Sequence, residues 1–309
     1  MKFYKKDPRK LFLTRFKLTK DGFAWTKQIK RGVFRHSTGS RLTPYKPVSP
    51  EPFNDPKYNP ALRLICQQYQ HKKLDGNKSK TAFLFIHGYA ESQFRLHELW
   101  YFRLFSGIFD SDVYALELPY HHNREPVDSP FSGAYFLNGN PVRMLEAFRQ
   151  SIQEILFLVN YLQERYERVV LFGISLGGHL VALASQFVEN TGVIAALASP
   201  FLFKIASRIN IAPVSNEIVA DLRDKGFASW YKILYPCNLK YFAMPEYTTN
   251  RNTAIIGGMY DRIVPLTSVQ ELASLLEKPL FSYPGGHLSL FPWLSRLLHQ
   301  VKECFENND

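Results

Sequence analysis

Short apolar runs alternate with longer amphipathic segments from about residue 80 to the end of the chain. The short runs end at glycine, proline or a polar turn, which is typical of buried strands. They predict six strands: Thr81–His87, Val113–Leu118, Arg168–Phe172, Gly192–Ala198, Ala254–Gly257 and Pro279–Ser282. Apolar residues at helical spacing predict five helices: Leu96–Ile108, Val142–Tyr166, Leu176–Val188, Thr267–Glu277 and Leu288–Phe305. Alternating strands and helices predict an α/β fold with a mostly parallel central sheet flanked by helices on both faces.

Two segments interrupt this alternation. Residues 43–60 gather six prolines and predict an extended connector, so that residues 1–60 form an N-terminal arm and residues 61–309 the main domain. Residues 200–250 mix aromatic, polar and basic side chains between the fourth and fifth predicted strands. We interpret them as a cap or lid inserted into the main domain.

The basic charge of the chain belongs to the N-terminal arm. The formal net charge is +11, but residues 1–46 alone hold 14 lysines and arginines against 2 aspartates, interleaved with aromatic residues. Such a segment suits an anionic membrane surface or single-stranded nucleic acid, or it forms an edge hairpin or helix docked on the main domain. We favour the docked element and keep an anionic membrane as a partner to test. We do not expect nucleic acid as a partner, because the rest of the chain is nearly neutral.

Composition excludes several classes of protein. Hydrophobic residues make up 46% of the chain and charged residues 21%, which excludes a disordered, collagen-like or coiled-coil protein. No run approaches the ~20 apolar residues that span a bilayer, and Leu11–Leu13 is too short for a signal-peptide core. We therefore expect a cytoplasmic protein, at most peripheral to a membrane. The distant cysteines Cys66, Cys237 and Cys304 fit neither a metal knuckle nor a disulfide framework.

The most informative motif is Gly-Ile-Ser-Leu-Gly-Gly at residues 173–178, between a predicted strand and a predicted helix. In this setting the glycines permit a tight, strained turn that lifts Ser175 above the sheet edge. The backbone N–H of Leu176, at the start of the helix, then points to where an oxyanion would form. The motif predicts a nucleophilic serine, whereas the alternative is a glycine-rich turn with an incidental serine.

A nucleophilic serine needs a base, and the base needs an orienting carboxylate. Asp261 follows the fifth predicted strand, and His287 lies on a glycine-rich loop after the sixth. Serine, acid and histidine thus occur in the chain order that a sheet of this kind requires, each at the end of a strand. The other histidines are weaker candidates for the base, since His179 is expected beneath the turn and His299 lies on the last helix.

The loop after the first predicted strand supplies the second donor of an oxyanion hole. Residues 87–89 read His-Gly-Tyr, and we predict that the backbone N–H of Tyr89 is this donor. His87 is expected to bond loop backbone rather than to transfer protons.

Four motifs together resemble the α/β-hydrolase superfamily: FIHG, GISLGG, YDRIVP and GGH, spread over residues 80 to 305. The resemblance implies a serine esterase or lipase-like enzyme in which Asp261 is the acid. A weaker resemblance, carried by Pro119–Arg124 and Phe131–Gly133, is to a sparsely characterised branch of abhydrolase-domain proteins. The basic arm is not part of the common fold.

Three residues are predicted to line a substrate pocket: Arg124, Trp230 and Tyr231. The aromatic cap would make that pocket apolar, while Arg124 would meet an anionic group. His121 and His122 suggest a metal site, but no third ligand has the spacing to complete it, so we expect neither a metal nor a cofactor.

The sequence therefore predicts a serine hydrolase that cleaves a carboxylic ester with an apolar or lipid-like acyl group. Amide and thioester cleavage remain open, because they use the same machinery. The alternative from another class is a non-catalytic module that binds a ligand or a membrane on a hydrolase-like fold.

Overall fold

The structure, a computed structural model, describes residues 23–29, 33–38, 64–69, 79–138, 140–201, 234, 237–239 and 252–308. These residues contain a mixed sheet of nine strands. In chain order the strands are β1 Phe23–Ile29, β2 Val33–Thr38, β3 Leu64–Tyr69, β4 Thr81–Ile86, β5 Ser111–Glu117, β6 Arg168–Ile174, β7 Thr191–Ala196, β8 Thr253–Gly258 and β9 Leu280–Tyr283. Their order across the sheet is β1-β2-β3-β5-β4-β6-β7-β8-β9.

The parallel part of the sheet runs β5-β4-β6-β7-β8-β9 and consists of the six predicted strands. The prediction of a mostly parallel sheet is thus confirmed. Strand β4 has β5 on one side and β6 on the other, so the direction in which strands are added changes at β4. In open α/β sheets, ligands bind at such a switch point, outside the carboxyl ends of the strands.

The apolar pattern does not predict the three antiparallel strands at one edge, β1, β2 and β3. The centre of β3 carries Gln67 and Gln68, which break the apolar run. Gln67 is nevertheless buried, and its Nε2 donates to Oε1 of Glu117 on the neighbouring strand at 2.6 Å. A cross-strand hydrogen bond, rather than an apolar side chain, accommodates this position in the sheet.

Strands β1 and β2 lie within the basic N-terminal segment and pair as an antiparallel hairpin at the sheet edge. This arrangement corresponds to the edge-hairpin alternative for that segment. The rest of residues 1–60 lies outside the described residues, and binding of this arm to a membrane stays a prediction.

The described helices are α1 Arg95–Leu99, α2 Tyr101–Phe109, α3 Pro141–Gln163, α4 Leu176–Ala184, α5 Leu266–Leu276 and α6 Phe291–Glu306. The prediction of one helix over Leu96–Ile108 is wrong, because the chain bends at Trp100 (φ −118°, ψ −63°) and a second helix starts there. Helix α4 is shorter than predicted, as is α6, which begins with Pro292 in its first turn.

The helices cover both faces of the sheet, as predicted. Helices α3, α4 and α5 enclose one apolar core, and α2 and α6 enclose the other. The second core is rich in phenylalanine: Phe83 of β4 stacks on Phe105 of α2 with ring centroids 4.6 Å apart.

None of the described helices combines the length and apolar composition needed to cross a membrane. The three cysteines are all free thiols, two of them buried.

Candidate active site

Ser175 lies in the sharp turn between β6 and α4. Its backbone has φ 56° and ψ −112°, a conformation that costs a non-glycine residue free energy and persists only where the surroundings impose it. A Cβ atom on Gly173 would lie 2.2 Å from the carbonyl oxygen of Gly177, and one on Gly177 would lie 2.1 Å from that of Ile86. Both positions therefore exclude any other residue, and the turn presses α4 against the end of β4.

The structure brings Ser175, His287 and Asp261 together in one hydrogen-bonded chain. Nε2 of His287 lies 3.0 Å from Oγ of Ser175, and its Nδ1 lies 2.7 Å from Oδ2 of Asp261. An ionised carboxylate only accepts hydrogen bonds, so Nδ1 carries the proton and Nε2 is free to accept the serine proton. These three side chains come from the ends of β6, β8 and β9.

The turn after β8 fixes the carboxylate of Asp261. Its second oxygen, Oδ1, accepts the backbone N–H groups of Ile263 and Val264, each at 2.8 Å. The residue is 5% exposed. With both oxygens engaged, the carboxylate is held as a buried acceptor directed at His287.

A separate set of hydrogen bonds holds the loop that carries His287. The phenol of Tyr283 donates to the carbonyl of Gly286 at 2.7 Å, and Oγ of Ser289 accepts the N–H of Gly286 at 2.8 Å. Burial raises the pKa of Tyr283 above its ordinary value, which keeps the phenol neutral and able to donate.

The loop after β4 lies against Ser175, as an oxyanion loop would. A Cβ on Gly88 would lie 3.7 Å from Cβ of Ser175. His87 is fully buried; its Nδ1 lies 2.7 Å from the Gly88 carbonyl, and its Nε2 accepts the N–H of Leu118 at 3.0 Å. The prediction that His87 bonds loop backbone is confirmed, and the two contacts define the neutral tautomer protonated at Nδ1.

The predicted oxyanion donors lie on the two elements that flank the serine. Leu176 is the first residue of α4, and the first hydrogen bond of that helix runs from His179 N–H to the Ser175 carbonyl at 3.0 Å. The N–H of Leu176 thus has no acceptor within the helix. Tyr89 follows Gly88 in the adjoining loop, and its phenol reaches the Leu137 carbonyl at 3.4 Å. That both N–H groups bind an oxyanion stays a prediction.

The two competing histidines are placed as expected. His179 is buried beneath the turn, with its ring nitrogens each 2.8 Å from a backbone carbonyl, those of Ser199 and Cys237. His299 lies on the exposed side of α6 and contacts the carbonyl of Ser295.

The prediction that Arg124 lines a substrate pocket is wrong. Its side chain is fully buried and forms a two-pronged ion pair with Glu154 of α3, Nη1 and Nη2 lying 2.7 and 2.8 Å from the carboxylate oxygens. Nη1 also donates to the carbonyl of Glu117 at 2.6 Å. A guanidinium that saturates a buried carboxylate is not available to a ligand. Sequence reasoning missed this partner, because nothing in a helical glutamate shows that it turns inward.

Trp230 and Tyr231, the other predicted pocket residues, lie outside the described residues. So does most of the predicted cap over residues 200–250, of which the structure describes only 200, 201, 234 and 237–239.

Histidines cluster beside the loop after β4. The ring centroids of His121 and His122 lie 4.8 and 4.7 Å from that of His87. Among the residues that the structure describes, no group of three or more histidine, cysteine or acidic side chains is arranged to hold a metal ion.

Burial lowers the pKa of His121 to about 3, against a partly opposing hydrogen bond to the Pro119 carbonyl, and burial lowers the pKa of His97 to about 4.

These histidines predict a loss of stability in acid. An unfolded histidine takes up a proton below about pH 6.5, whereas native His121 and His97 do so only near pH 3 and 4. The unfolded state therefore binds more protons between these values. The contribution of each such histidine to the free energy of unfolding falls as pH decreases from 6.5 to 4, by up to about 1.4 kcal/mol per pH unit.

Urea unfolding at a series of pH values measures this slope. The His121→Asn variant keeps a donor for the Pro119 carbonyl but has no titrating ring. Its free energy of unfolding should therefore depend less steeply on pH, by up to about 1.4 kcal/mol per pH unit. An unchanged slope would show that His121 titrates normally in the native state.

No protein-family model and no curated protein sequence matches the chain. Solved structures do. The acetyl xylan esterase of Paenibacillus sp. R4 matches with a TM-score of 0.65 at 12% identity, covering 96% of this chain and 92% of that one. Acetyl xylan esterase 1 of Thermoanaerobacterium sp. JW/SL YS485 gives 0.64 at 14% identity, covering 97% and 94%. The Pyrococcus furiosus esterase Pf2001 gives 0.52 at 16% identity, covering 79% and 87%. The chain has the α/β-hydrolase fold.

The α/β-hydrolase fold accounts for the position of the hydrogen-bonded chain of Ser175, His287 and Asp261. Parallel strands bring their carboxyl ends to one edge of the sheet, so residues more than 100 positions apart in sequence meet there. The resemblance based on four short motifs is thereby confirmed at the level of the fold.

Proposed function

We propose that the chain is a serine hydrolase that cleaves carboxylic esters through an acyl-enzyme. The observation that carries this proposal is the hydrogen-bonded chain from Ser175 through His287 to Asp261, with separations of 3.0 and 2.7 Å. The esterases among the similar structures support it. The intact set of three groups argues against a non-catalytic binding module.

In the proposed reaction, Oγ of Ser175 attacks the ester carbonyl while Nε2 of His287 takes its proton. Asp261 holds the imidazole with Nδ1 protonated and stabilises the imidazolium that forms. The N–H groups of Leu176 and Tyr89 bind the oxyanion of the tetrahedral intermediate. As the intermediate collapses, His287 returns the proton to the leaving alcohol, and an acyl group remains on Ser175. A water molecule, activated in turn by His287, then releases the acid.

Two acyl classes have support. The aromatic composition of residues 200–250 favours an apolar or lipid-like acyl group. A short acyl group is favoured by the extent of the structural match, because the two acetyl xylan esterases cover 96% and 97% of this chain whereas Pf2001 covers 79%. We favour the apolar acyl group.

A series of p-nitrophenyl esters from acetate to palmitate distinguishes the two classes. Each methylene that enters an apolar pocket contributes about 0.8 kcal/mol, so kcat/KM should rise by up to about fourfold per methylene until the pocket is full. The Ser175→Ala variant gives the background rate. A maximum at acetate would favour the short acyl group, and no rate above background with any ester of the series would count against ester hydrolysis.

A further inference from the structure

Three of the described non-glycine residues with positive φ lie in the two loops that meet beside Ser175. Ala90, in the loop after β4, has φ 61°, and Tyr120 and His122, in the loop after β5, have φ 64° and 50°. Non-glycine residues adopt such values only where neighbouring contacts impose them. The contacts that hold these loops should therefore be visible in the structure.

Ser132 makes two of the hydrogen bonds that join the two loops. Its side chain is 5% exposed; Oγ accepts the N–H of His122 at 3.1 Å and donates to the carbonyl of Glu91. One hydroxyl thus ties the residue after Ala90 to the strained residue His122. Ser132 belongs to the Phe131–Gly133 motif, which the proposed reaction does not use.

Gly133 fixes the Ser132 segment against the same loop. Its N–H donates to the carbonyl of Tyr120 at 2.7 Å. Its φ is +84°, and a Cβ there would lie 2.1 Å from Nε2 of His121. Glycine is required at this position, so Ser132 is placed by a contact that does not depend on its own hydroxyl.

We propose that Ser132 is a positioning residue, whose hydroxyl holds the loop over residues 88–91 so that the Tyr89 N–H points at the oxyanion. His87 holds the start of that loop through the Gly88 carbonyl, and Ser132 holds its end through the Glu91 carbonyl. Tyr89 lies between these two fixed points. The catalytic part of this inference rests on the proposed function.

Two measurements on Ser132→Ala test the proposal, with Ser151→Ala as the matched control. Ser151 is also buried and donates to a backbone carbonyl, that of Ala147, at 2.7 Å, but it lies within α3. Removing the Ser132 hydroxyl should lower kcat about 10- to 100-fold with KM within about twofold. A misplaced Tyr89 N–H would stabilise the transition state less but would hardly change substrate binding. Ser151→Ala should leave both constants within about twofold.

Hydrogen exchange gives a readout that does not depend on turnover. The amides of residues 89–92 should exchange about tenfold faster in Ser132→Ala and at the wild-type rate in Ser151→Ala. If Ser132→Ala does not fold, Ser132→Cys, which has a similar shape and a weaker donor, should show the same changes with smaller size.

The outcomes separate this inference from the proposed function. Unchanged exchange at residues 89–92, or equal kcat for the two alanine variants, would overturn the role of Ser132. If the wild type has no turnover that depends on Ser175, the proposed function fails, and the exchange of the loop alone then decides whether Ser132 holds it.

Discussion

Replacing Ser175 by alanine is expected to lower kcat for ester hydrolysis by about 10⁶-fold, to near the background rate. The variant lacks the nucleophile, and His287 then has no hydroxyl to deprotonate. Alanine has the same Cβ as serine, so it meets the same backbone strain at φ 56° and the turn should stay intact. The measurements are kcat with the best p-nitrophenyl ester and the midpoint of thermal unfolding.

Ser185→Ala is the control for this substitution. Ser185 follows the same helix and donates to the carbonyl of Ala182 at 2.7 Å, but it does not contact His287. Its alanine variant should retain wild-type kcat. Turnover of Ser175→Ala within tenfold of the wild type would mean that another residue is the nucleophile.

The second large effect is expected from Asp261→Asn, which should lower kcat by about 10⁴-fold. The Oδ1 atom of asparagine can still accept the N–H groups of Ile263 and Val264, so its amide NH₂ is turned toward Nδ1 of His287. Nδ1 must then accept, and the neutral ring carries its proton on Nε2, facing Ser175. In this tautomer the histidine cannot take the serine proton.

Asp112→Asn is the matched control for Asp261→Asn. Asp112 is also buried, and it accepts hydrogen bonds from Ser79 at 3.2 Å and Tyr166 at 2.8 Å near the start of β5. This variant should lose stability but keep kcat, since the start of β5 is at the opposite end of the strand from the site. A kcat for Asp261→Asn no lower than that for Asp112→Asn would remove the carboxylate from the mechanism.

The central sheet could be predicted because strands β4 to β8 are buried on both faces. Such strands appear as apolar runs separated by helices, and their bounds agree with the structure to within two residues. Strand β3 could not be found in this way, because Gln67 is buried through a hydrogen bond to Glu117, a partner 50 residues away in sequence. The bend at Trp100 has no glycine or proline to mark it.

In the candidate site, too, the residues with a local sequence signal could be predicted, and those whose role depends on a distant partner could not. Ser175, Asp261 and His287 could be predicted because each follows the end of a strand in a turn with its own sequence signal. The buried position of Arg124 could not be predicted, because a lone arginine on a loop gives no sign of its partner Glu154 on α3. Ser132 was visible only as part of a motif, since its role depends on two loops that meet in space.

Labelling with a fluorescent fluorophosphonate tests the central claim most directly, because the reagent reacts with an activated serine and needs no knowledge of the substrate. We expect one adduct on the wild type, mapped by mass spectrometry to Ser175. Ser175→Ala should not be labelled, and His287→Ala should be labelled far more slowly. Equal labelling of all three proteins, or no labelling of the wild type, would contradict the assignment of Ser175 as a nucleophile activated by His287.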